Sequence, residues 1–82
     1  MRIVPLRRDI EEYIRVHALA KKWQKARKLF EDNPRHPSLN TELLEPKENL
    51  LYSFRLDKKY RAIFLVHEDK SAEIVKITNH YR

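Results

Sequence analysis

The residues of this chain best suited to chemistry lie toward its C-terminal end. His80 is followed by Tyr81 and Arg82. A free imidazole titrates near neutral pH and can both take up and release a proton there, which is what cleavage of RNA by its own 2′-hydroxyl requires. A neighbouring tyrosine can stack on a base or orient a proton. A histidine so placed can equally be an ordinary solvated residue, and the pattern alone leaves both readings open. Arg55 and Arg61 stand inside otherwise apolar runs. A guanidinium presents a rigid fork of donors matched to phosphate oxygens. The alternative is a solvated outer face on which each arginine has a nearby carboxylate, such as Glu42 or Asp57. Lys21, Lys25 and Lys28 share one helical side, where they either contact phosphates or form a solvated face.

Other chemistry is excluded by what the chain lacks. It has no cysteine, so it has neither a disulfide framework, nor a thiolate nucleophile, nor a Cys-ligated zinc. Its four histidines show no His-x-x-x-His spacing and carry no metal signal. His17 and His36 read as structural, the first on a helix core face and the second in a proline loop. There is no glycine, and loops that cradle the phosphates of nucleotide cofactors need it where backbone approaches phosphate. No cofactor is expected. The net charge of +6 favours an anionic partner, either nucleic acid or an acidic protein segment. No stretch approaches the roughly 20 apolar residues of a membrane span, and the expectation is a cytoplasmic protein with no membrane partner.

The 82 residues are read as one domain, residues 1–82. Arg2 to Leu6 predicts a short first strand, with Pro5 marking an edge. Asp9 is the expected helix cap, with Glu12 in capping-box register, and Ile10, Tyr13, Ile14 and His17 share one face beyond it. Helix continues from Ala18 to Asp32, with Leu19, Trp23, Ala26 and Phe30 as its apolar stripe, either as one long helix or as two broken near His17. Asn33 to Ser38, with its two prolines, ends the helix. From Leu50 the period changes to two. Tyr52, Phe54 and Leu56 alternate with Leu51, Ser53 and Arg55, a second run spans Tyr60 to His67, and a third spans Ala72 to Thr78. The order β-α(α)-β-β-β predicts a two-layer α+β domain, with helices on one face of a mainly antiparallel sheet.

Taken together, Asn33 to Leu39, Tyr52-Ser53-Phe54-Arg55-Leu56, Tyr60-Arg61-Ala62-Ile63-Phe64 and the closing His80-Tyr81 resemble the RelE/ParE superfamily of toxins from type II toxin–antitoxin systems. The resemblance covers nearly the whole chain, and the His-Tyr ending resembles the YoeB branch of mRNA interferases, which cut messenger RNA on the ribosome. It implies a RelE-like fold and a metal-independent endoribonuclease that inhibits translation. It also implies roles: Arg61 stabilising the phosphate, His80 as general acid, Tyr81 positioning the substrate and Glu42 as base, with Glu45 or Glu48 able to fill that place in another register. Arg55, Lys58, Lys59 and Arg82 would bind RNA. Its implied partners are the ribosome, messenger RNA and a cognate antitoxin with an acidic segment that folds on binding. A gyrase-binding, ParE-like toxin or an inactive nucleic-acid-binding domain would share the fold without the nuclease.

Overall fold

The apolar spacing at the N-terminal end produces two helices. In the computed structural model, which describes residues 1–80, α1 (Arg8–Val16) buries Ile10 and Ile14 and α2 (Ala20–Asp32) buries Trp23, Ala26 and Phe30. The break between them is a helix-ending turn. Leu19 N–H reaches back to the Ile14 carbonyl at 2.8 Å and Ala18 N–H to that of Arg15 at 3.1 Å, with Ala18 left-handed at φ 54°. This is a Schellman motif, whose left-handed position is usually glycine. Leu19, just beyond it, is 2% exposed and re-enters the core. Since α1 stops at Val16, His17 leaves the buried stripe. It is exposed rather than on the core face, and its ring stacks on Tyr13 at 3.8 Å.

Asp9 does not cap α1. Arg7 holds the cap position without a side-chain cap bond, and the Asp9 carboxylate accepts from Arg7 Nε and Nη2 at 3.0 Å each. A two-pronged, charge-assisted contact competes well with one bond to a backbone N–H. Arg7 Nη2 also donates to the Val75 carbonyl at 3.0 Å and so ties the start of α1 to the sheet.

That sheet has four antiparallel strands in sequence order: β1 (Glu42–Leu43), β2 (Tyr52–Arg55), β3 (Arg61–Val66) and β4 (Ala72–Thr78). The expected strand from Arg2 to Leu6 is only a parallel bridge of Ile3 to Ala72, held by Val4 N–H to Ala72 O at 2.9 Å and Ala72 N–H to Arg2 O at 2.8 Å. Pro5 comes immediately after and has no donor with which to continue the ladder. β2 begins at Tyr52 rather than Leu50, because Leu50 closes a 3-10 turn (Lys47–Asn49) in left-handed conformation, φ 52°.

Residues opposite one another on neighbouring strands share a face. Against the helices the rows are Leu43, Tyr52, Phe64 and Ile74, then Phe54, Ala62 and Ile77. Phe30 of α2 stacks on Phe54 at 4.6 Å and meets Phe64 edge-on at 5.0 Å, and this aromatic contact joins the layers. The other face is open and carries the arginines. The β2–β3 turn is fixed by Asp57, whose carboxylate accepts from the N–H groups of Lys59 and Tyr60 at 2.8 and 2.6 Å and from Lys22 Nζ at 2.7 Å. Burial works to raise the Asp57 pKa, but the bonds from Lys22, Tyr60 and Lys59 outweigh it and the net shift is downward.

Both turns can be tested by substitution. Ala18→Gly should raise unfolding free energy in urea by about 0.5–1 kcal/mol, since the left-handed penalty of a Cβ disappears, and a lower midpoint would overturn this account of the break. Because the folded Asp57 carboxyl titrates below its ordinary value of 3.8, its stabilisation is present above that pH and lost as pH falls through the depressed value. The stability gap between wild type and Asp57→Asn should therefore be full at about pH 6 and close in acid; a gap unchanged by pH would assign the effect to packing alone.

Candidate functional site

The outer face of the sheet is built from two rows. One runs Glu42, Ser53, Ile63, Lys76 across all four strands, and the next runs Arg55, Arg61, Thr78. Arg61 is the exceptional residue. It is 7% exposed, and beside it Ser53 is 0% exposed. Its Nε donates to Ser53 Oγ at 2.9 Å, and Nη2 donates to the Asn40 carbonyl at 2.6 Å and the Ser53 carbonyl at 3.4 Å. Glu42 Oε2 lies 3.5 Å from Nη2, with 41% of the Glu42 side chain exposed. The carboxylate partner that composition made possible is thus Glu42. Arg61 is held as a fixed charge beneath the surface, joining β3 to β2, to β1 and to Asn40, a left-handed residue at φ 46° that precedes β1.

His80 leaves the end of β4 exposed, and its backbone N–H donates to Thr78 Oγ1 at 3.0 Å. Thr78 is the cross-strand partner of Arg61, so one residue connects the histidine to the arginine. His80 lines an open depression of about 330 Å³ with Leu43, Leu44, Glu45, Ile63, Lys76 and Thr78. The segment after β1 forms one wall and β4 the other. Glu45 therefore faces the same depression as His80, Glu42 sits at the Arg61 pair, and Glu48 is exposed in the 3-10 turn. Tyr81 and Arg82 lie outside the described residues.

Of the other basic candidates, Arg55, Lys58 and Lys59 lie at the β2–β3 turn. Arg55 and Lys58 line a second groove, about 300 Å³, together with Lys25 and Leu29 of α2, Ser38 and Asp57. Lys59 Nζ lies over the Tyr60 ring at 5.6 Å. Lys21 and Lys28 are on the exposed side of α2. His36 accepts from Ser38 N–H at 3.1 Å through Nδ1 and so organises the proline loop, in keeping with a structural role. A larger depression, about 520 Å³, opens on the helix side between Ile3, Pro5, Leu6 and Trp23 and contains none of the candidate residues. Among the described residues, no group of three or more His, Asp or Glu side chains is placed to hold a metal ion, and no helix is long and apolar enough to cross a membrane.

Sequence reasoning missed Ser53, Asn40, Thr78 and Lys76. The alternation Lys76, Thr78, His80 was there to be read, since strand period two places Lys76 and Thr78 on one face and points along it to His80. Asn40 carried no signal, because it acts through its main-chain carbonyl.

No known family's sequence profile matches this chain, and no curated protein matches it. Its structure does have a counterpart: a YoeB/ParE toxin from Agrobacterium tumefaciens superposes with a TM-score of 0.70 over 99% of this chain and 100% of that one, at 19% identity. The chain shares the fold of that toxin. The two-layer α+β arrangement expected from the sequence is therefore present, with two helices on a four-stranded antiparallel sheet, as in that structure.

Replacing Arg61 by alanine removes the donors that satisfy Ser53 Oγ and the Asn40 carbonyl. The unfolding free energy should fall by about 2–4 kcal/mol, as for other broken buried networks. Urea denaturation checks this. A cost within error of zero would show that Arg61 is not the brace described.

Proposed function

We propose that the chain is the toxin of a type II toxin–antitoxin pair and acts as a ribosome-dependent mRNA endonuclease. The observation that carries the reading is the placement of a carboxylate, a buried arginine and an exposed histidine across one open sheet face: Glu42 on β1, Arg61 on β3 and His80 beyond β4. In-line attack needs a proton acceptor on one side of the phosphate, a donor on the other and positive charge between. Glu42 takes the 2′-hydroxyl proton, the 2′-oxygen attacks phosphorus, and His80 protonates the departing 5′-oxygen. The products are a 2′,3′-cyclic phosphate and a 5′-hydroxyl. Arg61 adds fixed charge from beneath, where screening by solvent is weaker than at the surface. Tyr81 positions the substrate, while Arg55, Lys58, Lys59 and Arg82 contact the RNA backbone. Glu45 is the alternative base, since it lines the depression with His80.

The site is shallow, and holding the RNA in attack geometry falls to the ribosome, an arrangement in which positioning supplies a large part of the barrier reduction. The +6 charge suits a cognate antitoxin whose acidic segment folds over the basic face.

The test is to induce wild type and His80→Ala in bacteria and to map new mRNA 5′ ends within minutes while growth is monitored. His80 is exposed and should be replaceable without loss of fold, unlike Arg61. The expected result is frame-locked cuts in translated messages from wild type, reduced roughly 10²–10⁴-fold in the variant. Growth arrest without cuts would replace the nuclease by a gyrase-binding toxin, and no arrest would leave a nucleic-acid-binding domain.

A further inference from the structure

We propose that Lys76 is the side chain that grips the phosphate lying against His80, an inference that rests on the RNA-cleavage reading above. Arg61, the arginine of the site, is 7% exposed, and its Nε and Nη2 are engaged by Ser53, the Asn40 carbonyl and Glu42. It supplies field, but a side chain so committed offers little to an oxygen arriving from solvent. The depression beside His80 has its own cation. Lys76 stands on β4, exposed, opposite Ile63 and on the same outer face as Thr78, and it lines the depression with His80 and Glu45.

Two further observations bear on Lys76. Lys22 is bound to Asp57 at 2.7 Å and Lys59 sits over the Tyr60 ring, whereas Lys76 has no ion-pair partner among the described residues, and of the lysines left so it is the one that lines the depression with His80. Its place in the sheet is also the far end of the row that begins at Glu42. Three strand spacings, about 14 Å along the row, separate the two. That span leaves room for a nucleotide between the carboxylate and the lysine, with Arg61 below it and His80 at the lysine end. A flexible ammonium suits this task, because it can track the phosphate as charge develops on its oxygens.

The probe is a short RNA bearing a 2′-deoxy sugar at the cleavage position, which cannot be cut, titrated against wild type, Lys76→Gln and Lys76→Arg at several salt concentrations. Lys76→Gln should bind about tenfold more weakly and lower the dependence of log Kd on log salt by about 0.7, the value for one phosphate contact on a single strand; Lys76→Arg should recover most of both. In single-turnover cleavage on programmed ribosomes, Lys76→Gln should lower the saturated rate about 10²-fold. Its melting temperature should match that of wild type, as expected for an exposed residue. Equal affinity and an equal salt slope in wild type and Lys76→Gln would overturn the proposal even if the wild type cleaves. A wild type that binds through Lys76 but cuts no message would instead remove the nuclease reading and leave the phosphate contact standing.

Discussion

A guanidinium almost sealed from solvent must have its donors satisfied, and the solution to that requirement for Arg61 organises the outer half of the molecule. Ser53 is buried because it receives Nε, and Asn40 is held where its carbonyl can receive Nη2. The chain between α2 and β1 is thereby pinned to β3, which places Glu42 in register opposite Ser53 and within 3.5 Å of the same guanidinium. β1 is only two residues long and makes little ladder of its own. Its position depends on this side-chain network more than on backbone pairing. A charge buried in this way is costly unless every partner is present. The cost is concentrated on the open face of the sheet, next to Glu42 and Thr78.

Much of this is readable in the residues, and the gaps have identifiable causes. β4 runs from Ala72 to Thr78 as expected and pairs along its length with β3, but its alternation slips by one residue at Val75, the extra residue between Ile74 (opposite Phe64) and Lys76 (opposite Ile63), so that Ile74 and Ile77 both face the core. The helical stripes of Ile10 and Ile14 and of Trp23, Ala26 and Phe30 are likewise those expected. The expected first strand does not form, because a periodic apolar run cannot reveal that Pro5 stops the ladder after one bridge. β1 is invisible to pattern because two residues carry no period. The break at Ala18 has no marker in the sequence because its usual one, a glycine, is absent.

The absence of glycine reaches further than that turn. Among the described residues, four non-glycine residues, Ala18, Asn40, Leu50 and Lys70, have positive φ. Each costs energy that glycine would not, although asparagine tolerates the conformation better than the others. Asn40 and Leu50 bracket the segment containing β1 and Glu45, so the wall of the candidate site is held between two such residues. The surrounding structure must over-determine these conformations, and for Asn40 the hydrogen bond from Arg61 is a visible part of that restraint.

The candidate residues themselves are found by type, while their division of labour comes only from burial. Sequence pattern treats Arg55 and Arg61 as equals, two arginines of the same face, one at each side of a turn. In the fold they are cross-strand partners with opposite fates, Arg55 exposed beside Lys58 and Arg61 enclosed. No local signal distinguishes them, because what encloses Arg61 is Ser53, eight residues away, and Asn40, twenty-one residues away. An arginine fixed from below provides field without reaching outward, so direct contact with a bound anion falls to side chains that remain at the surface. On the outer rows of this sheet those are Arg55 at one end and Lys76 at the other, and Lys76 is the one that shares a depression with His80.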